Sequence, residues 1–114
     1  MGKLLQIRVS AWTYREEDVV RAWPALTALA WPRHQYPGEK RGVLELVTAL
    51  ENGLSFEGWP KAVADGLREG IGRAAAVKKE LEEALFQWEP RKANGLSETL
   101  EEELATLNER APKP

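Results

Sequence analysis

Seven prolines punctuate this 114-residue chain, and their positions decide which stretches can be helical. Proline lacks an amide hydrogen and its ring crowds the carbonyl four residues earlier, so it suits a helix's first turn and breaks its interior. Three of the seven follow tryptophan, at Trp23-Pro24, Trp31-Pro32 and Trp59-Pro60. The residue before proline is pushed away from helical geometry, which sets a Trp-Pro pair at a helix boundary with the indole folded back onto the core. The pairs therefore read first as helix punctuation, and only second as an aromatic surface for a peptide.

The segments between these marks have helical spacing. Thr13 and Glu16 stand at capping-box distance, and Glu16, Glu17 and Asp18 put negative charge at the positive end of the dipole. Val19, Val20, Trp23, Leu26, Leu29 and Ala30 continue one apolar face to about residue 31, so a helix over 14–31 is expected, kinked or divided at Pro24. Residues 32–41, with two prolines and a glycine, read as loop. Val43, Leu46, Val47 and Leu50 predict a helix over 42–52, with Asn52-Gly53 as its left-handed stop.

Val63, Leu67, Ile71, Ala74, Leu81, Leu85 and Trp88 recur at threes and fours, predicting the longest helix over 60–88. Gly66, Gly70 and Gly72 each cost about 1 kcal/mol relative to alanine inside a helix. Either the chain breaks near 70–72, or the glycines and Ala74, Ala75 and Ala76 form a small-residue surface that lets another helix approach. Ser97 is the expected cap of a last helix over 97–109, where Leu96, Leu100, Leu104 and Leu107 form a narrow stripe among five glutamates. Residues 110–114 read as a frayed tail.

Ahead of all this, Leu5, Ile7 and Val9 alternate with Gln6, Arg8 and Ser10, the period-two pattern of a strand over about 3–11. A lone strand cannot satisfy its backbone groups, and the rest of the sequence hardly supplies a partner, which points to the same strand of a second chain. The expected fold is mainly α, α+β at most: a single domain over 1–114 with one short N-terminal strand and four or five helices. Its expected core is Leu5, Ile7, Val9, Val20, Trp23, Leu26, Val47, Leu50, Leu67, Ile71, Leu81 and Leu85.

Composition narrows the function classes. A hydrophobic share of 43% beside 30% charged residues is that of a folding domain. No apolar run approaches the roughly 20 residues of a membrane span, and the first residues lack the apolar core and cleavage site of a signal peptide, so a cytoplasmic protein without a membrane partner is expected. The chain has no cysteine and one histidine, which excludes disulfides and thiolate sites. No metal and no cofactor are expected. A net charge of −2 argues against nucleic acid, and the acidity is concentrated after residue 60.

Within those bounds the loop is the best candidate for partner binding. Arg33, His34, Lys40 and Arg41 are interleaved with Trp31 and Tyr36, a pattern able to hold a phosphate or stack on a base. A catalytic constellation is not visible, because the glutamates fall on solvated helix faces and no serine sits in a nucleophile elbow. The chain is therefore read as a non-enzymatic interaction or assembly protein, homodimeric through the N-terminal strand or the C-terminal leucine stripe, with a further protein partner of unknown identity. The order strand then capped helix, over residues 3 to about 50, resembles the start of a ribbon-helix-helix DNA-binding dimer. That resemblance implies that Gln6, Arg8 and Ser10 read base edges in the major groove. Pro24 departs from the pattern, falling where the first helix would run.

Overall fold

The computed structural model describes residues 11–56 and 58–113, and in them the chain forms five helices. They are α1 (Glu16–Ala22), α2 (Pro24–Ala30), α3 (Val43–Phe56), α4 (Lys61–Phe86) and α5 (Pro90–Arg110). α4 packs along α5 and against α3, α2 fills the angle between α3 and α5, and α1 leans on α2. The mainly helical expectation holds. The strand expected over 3–11 lies outside the described residues except for Ala11, which is irregular, so Leu5, Ile7 and Val9 are likewise outside them.

The Trp-Pro pairs mark boundaries as the sequence predicts. Trp23 closes α1 by donating its amide to the Val19 carbonyl at 2.9 Å, and its own carbonyl then accepts the Thr27 amide at 3.0 Å to open α2. Pro24 is the first residue of α2, where its missing donor costs nothing, so the 14–31 stretch is two helices of 7 residues each. The next two amides of α2, those of Ala25 and Leu26, both donate to the Asn108 Oδ1 at 3.0 and 3.1 Å. A side chain 83 positions away thus caps a helix too short to stand alone.

Thr13 does not cap α1, contrary to the capping-box reading: the α1 N-cap is Arg15, with no side-chain capping bond. The Thr13 hydroxyl instead accepts the Val43 amide of α3 at 2.7 Å, while Glu45 Oε1 accepts the Gly42 amide at 3.1 Å. The two halves of a capping box are therefore split between segments 30 positions apart. Gly42 permits this, since a Cβ there would overlap the Thr13 side chain.

Two further expectations are corrected and one open choice is decided. Asn52-Gly53 does not stop α3, which continues to Phe56; Gly53 is buried because the Trp59 indole occupies the space a Cβ would need. The 60–88 stretch does not break at 70–72, and α4 runs unbroken for 26 residues. Only Gly70 of its glycines is used for packing, with Leu107 of α5 seated on it, whereas Gly66 and Gly72 face open space. The last helix begins at Pro90 rather than 97, so Ser97 lies inside it and donates its hydroxyl back to the Asn94 carbonyl.

The α4–α5 turn explains that early start. The Glu89 amide donates to the Ala84 carbonyl at 2.9 Å and the Trp88 amide to the Leu85 carbonyl at 3.2 Å, the two bonds of a Schellman closure. Its left-handed position, which ordinarily favours glycine, is held by Trp88 at φ 59°. Pro90 then starts α5 two residues later.

The core runs through all five helices and includes Trp23, Leu26, Val47, Leu50, Leu67, Ile71 and Leu81, as expected. Leu85 is half-buried against it, and Val20 is exposed, because Val19 is the α1 residue turned inward. Leu100, Leu104 and Leu107 are buried against the chain's own core, and Leu96, the first residue of the C-terminal leucine stripe, is partly buried against it.

Candidate interaction surfaces

The 31–42 loop is built rather than slack. Tyr36-Pro37-Gly38-Glu39 makes a turn closed by the Glu39 amide on the Tyr36 carbonyl at 3.1 Å, with Gly38 at φ 86° in the position where a type II turn demands a left-handed residue. The Glu39 carboxylate is the hub. It pairs with the Arg41 guanidinium at 3.0 Å and accepts the Tyr36 amide at 3.3 Å, while the Glu39 carbonyl accepts the Gln35 side-chain amide at 2.7 Å. Both members of the Glu39–Arg41 pair are largely shielded, with side chains 17% and 15% exposed.

Arg41 does two further things. It donates to the Arg33 carbonyl at 2.8 Å and lies over the Trp31 ring at 5.4 Å from its centroid. Of the six candidate partner-binding residues, Arg41 and Trp31 therefore hold the loop together, and their charge and ring face are engaged within the chain. Arg33, His34, Tyr36 and Lys40 are exposed. Trp31, Arg33, His34, Tyr36 and Arg41 do converge, lining one small cavity of about 240 Å³. Lys40 lies instead on a larger groove of about 620 Å³ between the loop, α3 and α4, whose lining includes Glu39, Glu45, Lys78 and Glu82. Lys78 donates to the Thr48 hydroxyl at 3.1 Å and pairs with Glu82 at 3.6 Å. Cations and carboxylates alternate there, which does not make the uniformly basic face that phosphate binding uses.

A different, more apolar groove of about 360 Å³ lies where the chain enters the described fold. The 11–15 segment and α1 form one side, with Val43 and Leu44 at the start of α3, Leu81 of α4 and Leu100 of α5 as apolar walls. Asp18, Glu101 and Arg15 are the charged residues of its lining. Trp12 is 79% exposed and Tyr14 93% exposed beside it, large rings that ordinarily seek cover. Thr13, tied to α3, holds this segment in place between them.

The candidate DNA-reading residues Gln6, Arg8 and Ser10 lie outside the described residues. Among the described residues no group of three or more metal-ligating side chains occurs, and no helix is long and apolar enough to cross a membrane. Sequence reasoning missed the groove at Trp12 and Tyr14 and the hub role of Glu39, because both depend on residues brought together from separate segments. One signal was present: Trp12 and Tyr14 alternate with polar Thr13 and Arg15 beyond the end of the apolar period-two run. No protein-family model, curated protein or solved structure matches this chain.

Proposed function

We propose that the chain is a small, non-catalytic, intracellular assembly protein that forms a homodimer by antiparallel pairing of its N-terminal segments and presents the 32–40 loop to a protein partner. One observation carries the reading. The described residues following the period-two segment are helix and loop, so a strand over residues 3–10 has no sheet edge among them to join, and its exposed amides and carbonyls are best met by an identical strand. The rings of Trp12 and Tyr14 at the base of that segment add apolar surface of the kind that interfaces bury. The loop supports the second half of the reading through exposed Arg33, His34, Tyr36 and Lys40 on a pre-ordered turn, which lowers the entropy lost on binding.

Light scattering over a wide concentration range tests the dimer. A dimeric mass that Val9→Pro converts to a monomer with unchanged helicity is the expected result, because proline removes a ladder donor. A monomer at every concentration defeats the reading. A dimer that also binds duplex DNA with a steep salt dependence, lost in Arg8→Ala, selects the ribbon-helix-helix alternative instead.

A further inference from the structure

Strand pairing, if it occurs as proposed above, has a geometric consequence at the apolar groove. In an antiparallel pair arranged about a two-fold axis through Ile7, Leu5 lies opposite Val9 and Ile7 opposite its own copy, so every apolar residue of the run meets another on one face. A slip of one residue sets apolar against polar side chains and is selected against. The matched register sets Lys3 opposite Ala11, and Ala11 is itself part of the groove lining. The chain preceding one protomer's strand is thereby delivered to the other protomer's groove.

We propose that this groove takes residues 3–5 of a second copy of the chain, with a leucine against the half-buried Val43 and Leu44 and Lys3 beside Asp18 and Glu101. Three observations converge on that occupant. The groove opens at the point where the N-terminal segment joins the described fold, so it is continuous with the surface that pairing uses. Its walls are apolar and the incoming dipeptide is Leu4-Leu5. Its lining carries two carboxylates against one guanidinium, that of Arg15, which is itself paired with Glu17 at 3.7 Å, and the residue that the register brings to Ala11 is a lysine. Each groove is completed by the other subunit, which makes the dimer reciprocal: burying one N-terminal segment requires offering the other.

The inference rests on strand pairing, and the test separates the two. Because the chain has no cysteine, Ile7→Cys supplies a single thiol at the two-fold axis, and rapid disulfide linkage on oxidation reports pairing without reference to the groove. Ala22→Arg with Ser97→Arg then fills the groove from an exposed and a half-buried wall position, and a dimer dissociation constant raised about tenfold with unchanged circular dichroism is expected. As a second variant set at exposed or N-terminal positions, Glu101→Lys and Lys3→Glu should each weaken the dimer by about two- to fivefold, and the double swap should restore it. Linkage through Ile7→Cys alongside a dissociation constant indifferent to all these changes overturns the groove assignment and leaves pairing standing. A protein that stays monomeric and does not link overturns both, including the case in which the groove is filled by the chain's own N-terminal segment.

Discussion

The α4–α5 hairpin and the α1–α2–α3 arm solve the same problem in opposite ways. In the hairpin, helices of 26 and 21 residues are joined by a closure made entirely of neighbouring backbone groups, and the two lie against each other along their length. In the arm, two helices of 7 residues each are below the length at which a helix persists by itself, and the capping groups come from far away in the chain: Asn108 for α2, Thr13 for α3. The difference teaches where cooperativity resides. The hairpin can form from local information, whereas the arm acquires its caps only once the chain has folded back on itself.

Several substitutions break or sharpen this contrast. The largest effect is expected from Leu104→Ala, which truncates a fully buried side chain of the core that runs through hairpin and arm; a loss of about 2–5 kcal/mol, read from chemical denaturation followed by circular dichroism, should unfold both regions together. Asn108→Ala should cost about 1–2 kcal/mol, since it strips two amides of α2 of their shared acceptor. Hydrogen exchange distinguishes its mode of action. Faster exchange confined to α1 and α2 supports an arm capped from the hairpin, and uniform acceleration across α4 and α5 refutes the division into two regions.

Thr13→Ala should cost about 1 kcal/mol and quicken exchange at the start of α3, while Thr13→Ser, which keeps the hydroxyl, recovers most of the loss. A Thr13→Ala protein whose α1 frays while α3 is unaffected would restore the local capping-box reading. The smallest effect has the opposite sign. Trp88→Gly relieves the left-handed position in the hairpin turn and should raise stability by about 0.5–1 kcal/mol, seen as a higher thermal midpoint. A fall in the midpoint would mean that the indole contributes more by contact than its backbone geometry costs.

Much of the hairpin was legible because periodicity and proline are local signals. The apolar residues of α4 and the leucines of α5 recur at threes and fours, whereas the start of α5 at Pro90 was read seven residues late, at Ser97. What misled was reading glycine and hydroxyl residues by their usual local roles. Asn52-Gly53 looks like a helix stop, yet Gly53 is there to admit Trp59; Ser97 looks like a cap, yet it lies well inside a helix. Val19 and Val20 are neighbours of the same residue type, yet the packing of α1 buries the first and leaves the second exposed.

The candidate surfaces divide in the same way. The sequence picked out the 31–41 cluster by composition, and five of its residues do line one cavity, but the Glu39 bonds that hold Arg41 away from solvent carry no linear signature. By itself, then, the sequence determined the helical class, the boundaries written by Trp-Pro, and the apolar faces, because each depends on residues within a turn or two of one another. The tertiary structure alone decided that α4 is unbroken, which residues cap α2 and α3, that the leucine stripe is covered by its own chain, and that an apolar groove opens beside Trp12 and Tyr14. Those outcomes depend on segments tens of residues apart coming into contact, and the free energy of such contacts is set by packing and hydrogen-bond partners that no local pattern encodes.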